Sequence, residues 1–238
     1  MTGLLGAAAA LAFAGGAAAQ EQPVKEPAEA AAPEDSAQVD EGVFDVAFNV
    51  GVASDYVFRG ISQTDEGPQI FGGVDLTMPS GIYAGGWASN IDFSPFGDTD
   101  TNAEVDFYAG YRPEVGGFAL DLGVIYYTYV NQPDDFVELN YLEFKAAASR
   151  AVGPLTFGGA LYYSPEFTGE TGEGVYVEAN GAYKINDRVS VSGALGRQYI
   201  GDNDFDYTTW NVGATFAVRE AFGLDVSYWD TDEHDLGQ

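Results

Sequence analysis

The chain of 238 residues contains no cysteine, so disulfide bonds cannot stabilise it. It has one histidine, His234, and we expect no enzyme activity because serine nucleophiles need a neighbouring imidazole. Cationic side chains are scarce, with 9 lysines and arginines against 37 aspartates and glutamates. The formal net charge of −28 argues against nucleic acid or an anionic membrane surface as a partner, since both need a cationic face.

The N-terminal region divides into two segments that lie outside the predicted domain. Residues 1–19 hold a short apolar run that ends in Ala17-Ala18-Ala19, which predicts a signal peptide cleaved after Ala19. No lysine or arginine precedes the run, so an N-terminal membrane helix is the alternative, although the run is short for one. Residues 20–42 are rich in Glu, Ala, Pro and Gln, and we predict a disordered periplasmic segment there. Residues 43–238 form the predicted domain.

From residue 43 onward, apolar and polar residues alternate with a period of two, which predicts β-strands. Eleven such segments follow one another. Short turns such as 186–187 alternate with longer acidic loops such as 165–172. This rhythm is typical of an outer-membrane barrel, with short periplasmic turns and longer extracellular loops. The predicted fold class is therefore all-β, an antiparallel transmembrane β-barrel, with a soluble periplasmic β-sandwich as the alternative.

In a membrane barrel the apolar face contacts lipid and the polar face lines the lumen. We interpret the aromatic residues near strand ends as membrane girdles; they are Phe44, Tyr83, Trp87, Tyr126, Tyr163, Trp210 and Tyr228. The candidate pore-lining residues share the opposite face or continue its parity into the first loop; they are Asp45, Asn49, Asp55, Arg59, Asp75, Asp92, Glu104, Asp106, Arg112, Asp121, Glu143, Lys145, Glu178, Lys184 and Asp225.

The segment 54–64 follows the first strand without a break, and we expect it to be the upper end of that strand. The same alternation then directs Arg59 into the lumen at the outer mouth of the pore. Tyr56 and Phe58 are expected to point outward, into the extracellular girdle. The alternative for Arg59 is an ion pair that only fixes the loop.

Two acidic runs, 98–102 and 202–206, begin like calcium-binding loops. Both lack the glycine at the sixth position and the glutamate at the twelfth, where the first run has Ala103 and Ala109. We predict solvated acids there, with no metal site and no cofactor. Weak divalent-cation binding at the lipopolysaccharide surface is the alternative.

Several segments resemble one bacterial family. SDYVFRGISQT at 54–64 and GIYAGGWASN at 81–90 resemble the start of the proteobacterial TorF-type porins, also known by their Gcw_chp domain. YYSP at 162–165, GVYVE at 174–178 and YWDTD at 228–232 are similar to the same family. The resemblance covers roughly residues 44–233 and implies an outer-membrane porin with no catalytic residues to transfer.

Chains of this kind normally continue to a last strand that ends in an aromatic residue. The eleven predicted strands are followed only by the loop-like segment 230–238. Single-chain bacterial barrels have an even number of strands, so we expect about twelve, with the last one missing from this sequence.

The expected function is a passive, narrow channel for ions or small solutes. A twelve-stranded barrel lies between filled eight-stranded barrels and open sixteen-stranded porins, and an acidic lining favours cations or neutral solutes. The expected partners are outer-membrane lipid, lipopolysaccharide and the solute. The alternative is a structural or surface-binding barrel that transports nothing because its lumen charges pair with one another.

Overall fold

The computed structural model describes residues 4–12, 44–97, 100–133, 137–201, 206–219 and 221–232. In these ranges the chain forms β-strands and two single-turn 3-10 helices, Ser94–Phe96 and Thr168–Glu170. None of the helices in these ranges is long and apolar enough to cross a membrane. The strands are β1 (Leu4–Ala12), β2 (Asp45–Ala53), β3 (Val57–Phe58), β4 (Ile61–Ser62), β5 (Gln69–Thr77), β6 (Ile82–Asn90), β7 (Ala103–Tyr111), β8 (Glu114–Val115), β9 (Phe118–Val130), β10 (Tyr141–Val152), β11 (Leu155–Ser164), β12 (Gly174–Asn186), β13 (Val189–Ile200), β14 (Tyr207–Arg219) and β15 (Phe222–Thr231).

Twelve of these strands pair antiparallel around a closed ring. The order is β1-β2-β5-β6-β7-β9-β10-β11-β12-β13-β14-β15, and β15 pairs again with β1. The short strands β3 and β4 form a separate hairpin, and β8 pairs only with the start of β9. The predicted antiparallel barrel is confirmed, with eleven of its wall strands following residue 43.

Strand β1 occupies the position between β15 and β2. Its residues pair with both neighbours, for example Leu4 with Trp229 and Ala8 with Ala53. A strand there covers two edges whose backbone groups would otherwise face lipid. The residues of β1 fall within the predicted signal peptide, which stays a prediction. The predicted disordered segment 20–42 lies outside the described residues.

The outer surface of the barrel is apolar. Large hydrophobic side chains that point outward are strongly exposed, including Phe48 at 59%, Ile70 at 61% and Val212 at 59%. A water-soluble protein would bury such a continuous apolar surface, whereas a membrane barrel turns it to lipid. The transmembrane fold therefore follows from the direction of the alternating side chains.

The inner surface is packed by aromatic rings that lie over glycines of the neighbouring strand. The Tyr108 ring lies over Gly85, where an added Cβ would meet ring atoms at 2.5 Å. Phe71 lies over Gly51 and Tyr176 over Gly196 in the same way. Because each glycine leaves room for a ring, large side chains fit inside a narrow barrel.

Strand β6 corrects the predicted girdle. Tyr83 and Trp87 point into the lumen, where they are 6% and 2% exposed, so their assignment to the lipid surface is wrong. The lipid-facing residues of β6 include Ala84, Gly86 and Ala88, which are small. The rule that the larger apolar residues face lipid therefore fails for this strand.

Candidate functional site

A segment that follows β2 folds into the barrel. We call residues 54–68 the lumen loop. Its hairpin, β3 and β4, turns at Arg59 and Gly60, whose φ angles are +48° and +85°. Positive φ at both central residues is the geometry of a type I′ hairpin turn, which is unusual for arginine and costs free energy. The turn holds Arg59 at the tip of the loop.

The lumen loop is fixed by its own hydrogen bonds. The hydroxyls of Ser62 and Thr64 donate to Asp55 Oδ1 at 2.6 Å and 2.9 Å. The Tyr56 amide donates to Thr64 Oγ1 at 3.0 Å. The Tyr56 hydroxyl donates to Glu104 Oε1 of β7 at 2.6 Å, which attaches the loop to the wall.

Arg59 is fully buried and bridges the lumen. Its Nη1 and Nη2 donate to the two carboxylate oxygens of Glu143 at 3.0 Å and 2.8 Å, which is a bidentate pair. Nη1 also donates to Gln198 Oε1 at 2.8 Å. The guanidinium thus joins the loop to β10 and β13.

Aromatic rings surround the same guanidinium. Its central carbon lies 4.4 Å from the ring centre of Tyr176 and 5.0 Å from that of Tyr162. Phe58 of the loop lies 4.7 Å away. Cation–π attraction is strengthened when the cation is desolvated, as it is here. We call the wall residues Glu143, Gln198, Tyr127, Tyr162 and Tyr176 the Arg59 pocket.

Around Arg59, buried side chains from consecutive strands form one layer across the upper lumen. Each of the following is at most 4% exposed and comes from a different strand between β5 and β14: Gln69, Trp87, Glu104, Tyr127, Glu143, Ser164, Tyr176, Gln198 and Thr209. We call them, together with the lumen loop, the closure layer. These side chains lie at the end of the barrel that carries the long loops, and water does not reach them.

Below the closure layer the lumen contains a charged cluster that is half-buried. Asp121 accepts hydrogen bonds from Lys145 Nζ at 3.0 Å, from Arg112 Nε at 3.3 Å and from the Tyr83 hydroxyl at 2.6 Å. Asp75 accepts from the Tyr108 hydroxyl at 2.7 Å. The alternative that lumen charges pair with one another across strands applies to Asp121, Arg112 and Lys145.

The structure places most of the candidate pore-lining residues inside the barrel. The buried or half-buried ones are Asn49, Asp55, Arg59, Asp75, Glu104, Asp106, Arg112, Asp121, Glu143, Lys145, Glu178 and Asp225. Asp45 and Lys184 are exposed at the end with the short turns, where Lys184 pairs with Asp187 at 3.1 Å. That any of them lines a conducting pore stays a prediction.

Asp92 lies beyond the end of β6 and is exposed. The amide and hydroxyl of Ser94 donate to its carboxylate, and these hydrogen bonds lower the pKa of Asp92. The inward positions of β6 are odd-numbered, as Tyr83 and Trp87 show, so an even-numbered residue does not continue the lumen face. The grouping of Asp92 with the lumen residues is therefore corrected.

The expected direction of the segment 54–64 also needs correction. Strand β2 ends at Ala53, and Tyr56 is 4% exposed inside the barrel rather than in an outer girdle. Arg59 does point into the lumen, as expected, but it lies buried in the closure layer instead of facing water at an open mouth. The expectations for Tyr56 and Arg59 both assumed that the alternation of β2 continued past residue 53.

The sequence-based candidates did not include the pocket residues Gln198, Tyr127, Tyr162 and Tyr176. The alternation directs Gln198 and Tyr176 into the lumen. Because both side chains are neutral, the sequence did not indicate a specific partner for either of them. A usable signal is an aromatic residue on the polar face with a glycine two positions from its cross-strand partner, as Tyr176 pairs with Gln198 and lies over Gly196.

The described residues contain no group of three His, Cys, Asp or Glu side chains that could hold a metal ion. The calcium-like runs are described only in part, from Asp100 in the first and at Asp206 in the second. His234 lies outside the described residues.

Residues 37–236 match the model of a family described as "Bacterial protein of unknown function (Gcw_chp)". The chain belongs to the Gcw_chp family. The family expected from the segments at 54–64 and 81–90 is thereby confirmed. No curated protein matches this Gcw_chp chain.

Three solved structures are similar to this Gcw_chp chain at low sequence identity and with TM-scores of 0.39 to 0.41. The outer membrane channel COG4313 from Pseudomonas putida F1 has 14% identity and a TM-score of 0.40, over 96% of this chain and 95% of that one. Acinetobacter baumannii OccAB4 has 10% identity and a TM-score of 0.41, over 79% of this chain but only 62% of OccAB4. A porin structure has 11% identity and a TM-score of 0.39, over 78% of this chain and 80% of that one.

Proposed function

We propose that this Gcw_chp protein is an outer-membrane channel for small cations and neutral solutes, closed in this structure by its lumen loop. The observation that carries the proposal is the position of Arg59. A side chain from a loop, rather than a strand of the wall, fills the centre of the closure layer. A loop can leave the lumen without breaking any strand pairing of the barrel.

The charge of the lumen supports a preference for cations. Glu104 and Asp106 are buried on β7 and Asp75 on β5, with β6 between these strands, and Asp121 follows lower down on β9. Acidic rings and walls attract cations and repel anions in channels. Among the described residues, Arg112 and Lys145 form their ion pairs with Asp121 rather than with Glu104, Asp106 or Asp75.

The location that we propose is the bacterial outer membrane. Two observations support it: the chain belongs to a bacterial family, and its barrel turns an apolar surface outward. Closed β-barrels are the spanning structures of that membrane. Cleavage after Ala19 would remove β1, so a signal peptide at residues 1–19 and a ring that includes β1 are alternatives, and the proposed location rests on the strands that follow residue 43.

A sealed barrel is the second candidate function, and one observation favours it. Arg59 and Glu143 are both 0% exposed, and such a desolvated ion pair resists opening. A barrel that never opens would serve a structural or surface-binding role. The two candidates differ only in whether solutes pass.

Swelling of proteoliposomes separates these candidates. We expect vesicles with Arg59→Ala to swell faster than wild-type vesicles in solutions of small cations and neutral sugars, and to swell slowly with anions of equal size. Arg197→Ala is the matched control, because Arg197 is half-exposed and pairs with Asp232 at 3.6 Å outside the pocket. If vesicles with Arg59→Ala and vesicles with Arg197→Ala both failed to swell in every solute, the barrel would be sealed and the channel refuted.

A further inference from the structure

The Arg59 pocket has the donor and acceptor arrangement of a receptor for a guanidinium ion. A carboxylate binds two nitrogens of the fork, an amide oxygen binds one of them again, and the faces of two tyrosine rings lie within 5.0 Å. This combination suits a planar, weakly hydrated cation better than a compact ammonium group. The occupant in this structure is a side chain of the chain itself.

The wall holds the pocket residues by contacts that do not involve Arg59. The Gln198 amide nitrogen donates to the carbonyl of Tyr199 at 3.1 Å, which turns its oxygen toward the lumen. The Tyr127 hydroxyl donates to Glu143 Oε2 at 3.2 Å, and the Tyr127 ring stacks on Tyr141 with centroids 4.4 Å apart. These contacts fix the position of the carboxylate and of the amide from the wall side.

The aromatic side of the pocket is fixed in the same way. The Tyr176 ring lies over Gly196, and its hydroxyl donates to Glu178 Oε2 at 3.0 Å. Glu178 is held in turn by Asn180 Nδ2 at 2.8 Å. The pocket is therefore organised by four adjacent strands, β10 to β13, and by β9, rather than by the loop.

The occupant, by contrast, is carried on a strained turn. Arg59 has φ of +48°, a conformation that residues other than glycine adopt at a free-energy cost. The contacts of the guanidinium in the pocket offset part of this cost. A soluble guanidinium compound carries no such strain and would compete for Glu143 and Gln198.

We propose that the Arg59 pocket is a binding site for solutes that bear a guanidinium group. Such a solute displaces Arg59, takes over its bidentate contact with Glu143, and leaves the lumen loop without its attachment at that point. The binding step does not depend on the proposed channel. The opening of the lumen after binding, and the passage of guanidinium solutes through it, rest on the proposed function.

Chemical rescue of Arg59→Ala tests the binding step. The full chain is refolded in detergent micelles, and its thermal unfolding midpoint is followed by the gel mobility of heated samples. Ethylguanidinium at millimolar concentration is expected to raise the midpoint of Arg59→Ala in a saturable manner, whereas ethylammonium at equal concentration gives a clearly smaller rise. Arg59→Gln, which keeps a polar side chain on the loop, serves in the same assay if the alanine variant does not refold.

The double variant Arg59→Ala/Glu143→Gln is the control that isolates the pocket. It is expected to lose the rise, because the bidentate carboxylate is gone. Equal effects of the two cations, or an unchanged rise in the double variant, would overturn the proposal. A saturable rise of the unfolding midpoint in a barrel that excludes all solutes would support the binding site and refute the channel. Permeation of solutes without any rise of the midpoint would support the channel and refute the binding site.

Discussion

Arg59 is the residue on which the closed state depends most. It forms a bidentate ion pair with Glu143 in a place that water does not reach. A buried ion pair adds little to the free energy of unfolding compared with a pair of apolar side chains. Removing one partner, however, leaves the other charge buried without compensation. The tyrosines of the pocket add cation–π contacts on the faces of the guanidinium.

Removing Arg59 alone is therefore expected to be costly. Arg59→Ala should lower the free energy of unfolding by about 3–5 kcal/mol, because Glu143 is left buried without its cation. Urea unfolding in micelles, followed by tryptophan fluorescence, measures the change. In Arg59→Ala/Glu143→Gln a large part of the loss should return; a double variant as unstable as the single one would show that the ion pair is not the cause.

The packing of aromatic rings over glycines of the neighbouring strand predicts how substitutions of these glycines change stability. Gly85→Ala places a methyl group 2.5 Å from the rigid Tyr108 ring, and moving that ring breaks its hydrogen bond to Asp75. Overpacking of this kind costs about 1–3 kcal/mol in the same unfolding assay. The neighbouring Gly86→Ala faces lipid, where the nearest atom is 3.4 Å away, and should leave stability nearly unchanged. Equal effects of both substitutions would refute the ring-over-glycine packing.

The lumen loop and the strands differ in how far the sequence could predict them. Alternation predicted the eleven wall strands after residue 43, because lipid and lumen each select one face of every strand. It failed for the phase of β6, where alanine and glycine face lipid. The loop could not be predicted, because its contacts join residues far apart: 84 positions separate Arg59 from Glu143 and 139 separate it from Gln198.

The fit of the loop against the wall can be disturbed without changing any charge. Gly60 has φ of +85°, and a Cβ there would lie 2.4 Å from Thr209 Oγ1 in the closure layer. Gly60→Ala should therefore unseat the hairpin tip and raise the rate of solute entry into proteoliposomes several-fold.

The control for Gly60→Ala is Gly97→Ala. Gly97 has a similar φ of +89°, but an added Cβ meets nothing within 4 Å. This variant carries the same backbone strain without the clash, and its permeation rate should equal that of the wild type. If both variants behaved alike, backbone strain rather than the fit of the hairpin would explain any change.

At the scale of the whole molecule, the barrel has an apolar exterior, and an acidic interior is part of the proposed function. The alternating strands predicted the apolar exterior, whereas the acidic lumen expected from the acids on the polar face stays a prediction. Sequence composition could not predict whether the lumen is open or closed. In the proposed channel, whether the upper end is open depends on the lumen loop and Arg59, not on the strand count.

Recordings from planar lipid bilayers test the central claim, that Arg59 and its loop close a cation-preferring channel. Wild-type protein and Arg59→Ala are inserted side by side, with Arg197→Ala as control, and the reversal potential is read in a salt gradient. We expect a larger conductance for Arg59→Ala than for the other two proteins, with a reversal potential that shows cation preference. An Arg59→Ala barrel that is folded but silent, or one that prefers anions, would contradict it.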